Sequence, residues 1–104
     1  MITILFSMTV KVGREEEWRA MRADLHRSTH AEDDGCLAYT YYRRADNPRE
    51  YVLFEQWRDG DALAAHLTRL QRVYGPPPSE GGRLPAAFLD LFERTEAVRY
   101  EPAS

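Results

Sequence analysis

Trp57 and His66 are the residues of this chain best suited to chemistry. They stand nine positions apart, where an apolar stretch, Tyr51-Val52-Leu53-Phe54-Glu55-Gln56-Trp57, gives way to Ala62-Leu63-Ala64-Ala65-His66-Leu67. An imidazole has a near-neutral pKa and suits a general base. An indole N–H is a donor that needs a polar partner when buried. A strand ending at Trp57, followed by a helix carrying His66, brings both groups toward one pocket. The simpler alternatives are a core aromatic at a strand end and a histidine used for packing or hydrogen bonding. Around this pair, Ser7, Tyr39, Tyr41, Tyr74 and Arg99 are candidates for the lining of a substrate pocket. Ser7 competes with the reading of a satisfied strand serine, the tyrosines with packing or interface roles, and Arg99 with a cross-interface ion pair. Tyr74 precedes a Pro-rich loop and is placed to close over a ligand. His26 and His30 take no role, and Cys36 reads as a small buried residue.

The elements that must position these groups follow from periodicity. Ile2 to Lys11 alternates Ile2, Ile4, Phe6, Met8 and Val10 against Thr3, Leu5, Ser7 and Thr9, which specifies a strand ended by Gly13. Arg14 to about His30 is a helix. It has Glu15, Glu16 and Glu17 at the positive end of its dipole and Trp18, Met21 and Leu25 as its buried stripe. Asp33-Asp34-Gly35 turns the chain. Cys36 to Arg44 and Glu50 to Arg58 form a hairpin across Asp46-Asn47-Pro48. Asp59 or Asp61 caps the next helix, whose stripe is Leu63, Leu67, Leu70 and Tyr74. Gly75 to Gly82, with three prolines, is neither helix nor central strand. It reads as a connecting loop or as a semi-rigid flap. Leu84 to Glu93 is expected to be a short helix and Thr95 to Glu101 a last strand.

This order, β-α-β-β-α-(α)-β, is the ferredoxin-like split βαβ arrangement, an α+β fold with an antiparallel four-stranded sheet. Both long helices would cover one face. The other face carries Leu5, Val52 and Phe54 and is too apolar for a monomer, so a homodimer with sheets packed face to face is expected.

The chain has 104 residues, enough for one domain over 1–104 with its own core. Fourteen basic and 17 acidic side chains give a net charge of −3, which argues against a nucleic-acid partner held through phosphates. The single Cys36 excludes an internal disulfide and fits a reducing cytoplasm. No apolar run is long enough for a membrane span, and the N-terminus reads as a strand rather than a signal peptide. No cofactor is expected, because the chain has no G-x-G-x-x-G, no P-loop and no metal-spaced His/Cys set.

Several segments carry a resemblance through their order and spacing. They are Met1 to Gly13; Asp33-Asp34-Gly35-Cys36-Leu37-Ala38-Tyr39; Asn47-Pro48-Arg49-Glu50-Tyr51-Val52-Leu53-Phe54-Glu55-Gln56-Trp57; Ala62-Leu63-Ala64-Ala65-His66; and Glu96 to Tyr100. Together they resemble the antibiotic biosynthesis monooxygenase domain family over roughly residues 1 to 70 and the last strand. The resemblance implies a dimeric α+β barrel and a small monooxygenase that uses O2 and no prosthetic group on a quinol or polyketide-like aromatic. Trp57 matches the pocket tryptophan of the polyketide oxygenases, as an indole donor beside His66 as base. Leu53 and Leu63 stand where those relatives keep an Asn and a Tyr. The Asn, Trp and His of the haem-degrading relatives have no counterpart here. Two other functions fit the same fold: a non-catalytic small-ligand barrel, and an isomerase or cyclase in which His66 moves protons.

Overall fold

A computed structural model describes residues 1–103. The chain runs β1 (Ile2–Val10), α1 (Glu15–Glu32), β2 (Cys36–Arg43), β3 (Glu50–Trp57), α2 (Gly60–Tyr74), α3 (Ala86–Leu89) and β4 (Phe92–Tyr100). The strands form one antiparallel sheet in the order β2-β3-β1-β4. This is the split βαβ topology, with both long helices on one side. No helix among the described residues is long and apolar enough to cross a membrane.

The period-two pattern of each strand decides which residues meet the helices. Phe6, Met8 and Val10 of β1, Leu53 and Trp57 of β3 and Tyr39 of β2 are buried with Trp18 and Leu25 of α1 and with Leu63 and Leu70 of α2. The opposite side of the same strands shows half-buried Leu5, Val52 and Phe54 with exposed Ser7 and Tyr42. One face is therefore a finished core, and the other is partly apolar with no helix on it.

Two boundaries differ from the sequence expectation. The helix expected over Leu84–Glu93 is only Ala86–Leu89, and β4 starts at Phe92 rather than Thr95. Pro85 pushes Leu84 out of helical geometry at one end. At the other end the sheet claims the backbone: Lys11 N–H donates to Leu91 O at 2.9 Å, and Phe92 pairs with Val10. The spacing of Phe88, Leu91 and Phe92 suits one continuous helix, yet the three are buried by a single helical turn followed by a strand start. At the start of α2, Asp59 is the cap, its carboxylate accepting from Ala62 N–H at 2.9 Å.

Gly35 fixes where α2 begins relative to the end of α1. A Cβ placed on Gly35 would lie 2.2 Å from the Ala62 Cβ, so only glycine allows the turn and the helix to touch. Arg58 N–H also donates to Gly35 O at 2.9 Å. Gly35→Ala is expected to destabilise the protein by about 1–3 kcal/mol through overpacking. Adding Ala62→Gly should recover part of that loss in urea denaturation. A single variant as stable as the wild type would contradict the close approach.

Candidate active site

A cavity of about 150 Å³ lies between α2 and the helix-covered face of the sheet. Its deep wall comes from Leu25, Tyr39, Leu53, Glu55 and His66, all buried. Its mouth is formed by Arg83, Leu84 and Ala97, which are exposed or half-buried. An apolar cavity of this size holds one benzene-sized ring.

The polar groups of this cavity are held by neighbours far away in sequence. His66 Nδ1 lies 2.6 Å from Asp33 Oδ2. Arg69, one turn further along α2, grips the same carboxylate with both arms of its guanidinium: Nε donates to Oδ1 at 2.8 Å and Nη2 to Oδ2 at 2.9 Å. Arg69 Nη2 also donates to Thr29 Oγ1 at 3.3 Å. Thr29 and Asp33 come from the C-terminal end of α1 and His66 and Arg69 from the middle of α2, and the side chains of Asp33, His66 and Arg69 are each at most 8% exposed. On the sheet side, the Trp57 ring lies against His66 with centroids 4.4 Å apart, and Trp57 Nε1–H donates to Glu55 Oε1 at 2.7 Å. The Tyr39 and Tyr41 hydroxyls lie 3.1 Å apart on the cavity wall.

Electrostatics then separate the protonation states. Burial alone would raise the Asp33 pKa, but the hydrogen bonds from Arg69 and His66 outweigh it and hold Asp33 below the usual carboxylate range. An ionised Asp33 can only accept, so the proton of a neutral His66 sits on Nδ1 and Nε2 is left with a free lone pair. Burial pushes the His66 pKa down; Asp33 opposes this, but its charge is already matched by Arg69. Glu55 moves the other way, raised by burial against the pull of the Trp57 N–H. Tyr39 and Tyr41 are pushed up by burial, so both remain neutral phenols that can donate.

The lowered pKa of His66 has a consequence for stability. The unfolded chain, with a histidine pKa near 6.5, takes up the proton before the folded one does. Stability associated with neutral His66 is therefore complete above about pH 6.5 and is lost as pH falls below it. The gap in urea midpoint between wild type and His66→Gln is expected to move against the wild type from pH 7.5 to pH 5. A constant gap would contradict the shift.

A family model described as antibiotic biosynthesis monooxygenase matches residues 1–71. The chain belongs to this family.

Solved structures extend the likeness over the whole chain. A crystal structure described as an antibiotic biosynthesis monooxygenase superposes with a TM-score of 0.75 at 17% identity, covering 100% of both chains. Rv0793 from Mycobacterium tuberculosis gives 0.74 at 24% identity, covering 99% of this chain and 95% of the other. PA3566 from Pseudomonas aeruginosa gives 0.76 at 20% identity, with 99% and 94% covered. At these identities the likenesses establish the antibiotic biosynthesis monooxygenase fold. Among curated proteins none matches this chain in sequence.

Within this fold the seven residues singled out in the sequence are not all in one place. His66, Tyr39 and Tyr41 line the cavity. Trp57 stands behind His66, fully buried, with its N–H bound to Glu55, so its ring supports the imidazole rather than facing a ligand. Ser7 is exposed on the uncovered side of β1, in a separate recess with Tyr42 and Arg94. Tyr74 hydrogen-bonds to Asp24 of α1 and lines a surface hollow beside α3. Arg99 is exposed on the edge strand β4, opposite Ile4, just beyond the cavity wall.

Three residues that carry no assignment from the sequence belong to this cluster: Asp33, Glu55 and Arg69. Each carried a local signal. Glu55 is a carboxylate in the row Tyr51, Leu53, Glu55, Trp57, which otherwise faces the core. Asp33 follows the C-terminal end of α1, where a carboxylate is unfavourable for the helix dipole and needs another reason to be there. Arg69 is adjacent to Leu70 and one turn from His66, on the stripe side of α2.

Proposed function

We propose that this protein is a small monooxygenase that oxidises a single-ring quinol-type aromatic with O2, drawing the electrons from the substrate. The observation that supports it best is the Asp33–His66 pair opening onto a ring-sized cavity with two phenolic donors. His66 Nε2 removes a proton from the bound phenol. The Tyr39 hydroxyl donates to the oxyanion that forms and is itself held by the Tyr41 hydroxyl. The phenolate is electron-rich enough to react with O2 at carbon. One hydroquinone and one O2 then give one hydroxyquinone and one water, so atoms and electrons balance without an outside reductant. Trp57 acts here as a positioning residue that holds the imidazole plane.

The same reading takes the protein as a homodimer joined through the uncovered sheet face, supported by half-buried Leu5, Val52, Phe54 and Val98 on that side. Sedimentation equilibrium is expected to give a dimer at micromolar concentration, and a stable monomer would remove this part. A cytoplasmic setting is supported by the free Cys36 thiol.

A second reading has its own support. Glu55 and His66 line one cavity with pKa values pushed in opposite directions, an acid–base pair of the kind that isomerases and cyclases use. Oxygen uptake with a panel of dihydroxy-aromatics separates the two. Consumption of one O2 per quinol supports oxygenation. Conversion without O2 points to proton transfer, and tight binding without conversion to a ligand-holding barrel.

A further inference from the structure

The loop 75–85 carries a charge to the mouth of the cavity. It is braced at both ends: Ala86 N–H donates to Pro76 O at 2.9 Å, and Gln71 Nε2 donates to Arg83 O at 2.8 Å. Pro76, Pro77 and Pro78 restrict the backbone between them. This bracing sets Arg83 over the opening beside Leu84 and Ala97. Arg83 is the cation of the cavity lining and makes no ion pair among the described residues. Arg99, also without an ion pair among the described residues, sits opposite Ile4, and Ile4 is itself part of the wall. No carboxylate belongs to the mouth; the one acid of the lining, Glu55, is at the buried end. A chain with net charge −3 thus presents positive charge at this opening.

The cavity volume admits one ring, and Tyr39 and the imidazole lie at its inner end. A hydroxylated ring bound with its hydroxyl at Tyr39 and His66 therefore directs its far side at the mouth. From this geometry we infer that the preferred ligand is a single aromatic ring bearing both a hydroxyl and a carboxylate, the carboxylate being held by Arg83. A guanidinium fork matches a carboxylate in shape as well as charge. The loop is then a specificity element and not only a connection between α2 and α3. This inference rests on the aromatic reading of the cavity given above and narrows it to a hydroxybenzoate class.

Calorimetric titration of the wild-type protein with hydroquinone and with gentisate, the same ring carrying one carboxylate, tests it. Gentisate is expected to bind about tenfold or more tightly than hydroquinone, the scale of a hydrogen bond to a charged group. Arg83→Gln should abolish that preference, and Arg83→Lys should keep part of it. Equal affinities in the wild type, or a preference that survives Arg83→Gln, would overturn the carboxylate assignment and leave the aromatic reading intact. Failure of both rings to bind would overturn the two together.

Discussion

Replacing Arg69 by methionine is expected to cost about 3–5 kcal/mol of folding stability, the usual effect of removing one partner from a buried ion pair. The guanidinium is 8% exposed and satisfies both oxygens of an equally buried Asp33. Methionine fills much of the same volume, so the loss comes from the stranded carboxylate and not from a cavity. Asp33→Asn in the same chain removes the stranded charge. The double variant should therefore lose less than the sum of the two single variants, a coupling measurable by urea denaturation. Arg69→Lys should fall between, because an ammonium cannot span both oxygens. Burial is the main reason the His66 pKa is lowered, and the substitution removes the Arg69 charge that adds to it, so the imidazole should titrate at higher pH in Arg69→Met, visible in its ring carbon NMR shifts. A stability loss below about 1 kcal/mol, as for an exposed pair, would show that this network is not buried in solution.

His66→Gln is expected to lower turnover of the aromatic substrate about 10²–10⁴-fold, the range for removal of a general base. Glutamine keeps a hydrogen bond to Asp33 but cannot take the phenolic proton, so the fold should survive and the fall should appear in kcat rather than KM. Asp33→Asn should act through the imidazole: without an ionised acceptor, Nδ1 no longer holds the proton, and the neutral tautomer with a free Nε2 loses its support. Its turnover should drop less than that of His66→Gln. Unchanged turnover in a folded His66→Gln protein would remove the base role and leave oxygenation to substrate that ionises without help.

Much of the fold could be read before the structure, for a specific reason. Alternation in β1 and β3 and the helical stripes of α1 and α2 are local patterns, and each specifies both an element and the face it buries. The error at Leu84–Glu93 occurred where the pattern fits both periods: Phe88, Leu91 and Phe92 suit a helix, and the pairing of Phe92 with Val10 that overrides it is not local. The site was legible in part. His66 was found because an imidazole on an apolar stripe is conspicuous. Asp33 was not, because in sequence it is one of two aspartates in a turn. Trp57 was identified as important, but its N–H was assigned to a ligand; an acid two positions before it on the same strand face was the available sign that the donor had a partner.

The order of elements, the face each presents to the core and the presence of an imidazole beside an apolar groove are legible from periodicity and short-range spacing, and the family from the resemblance of its segments. What that imidazole is depends on packing. Asp33 lies 33 positions from His66 and 36 from Arg69, and the close approach of Gly35 to Ala62 seats the C-terminal end of α1 against α2, within hydrogen-bonding distance of its middle turns. Burial then removes the water that would otherwise equalise these groups. The result is an ionised Asp33, a neutral His66 and a Glu55 of raised pKa, all set by desolvation and neighbouring charge and none by residue type alone.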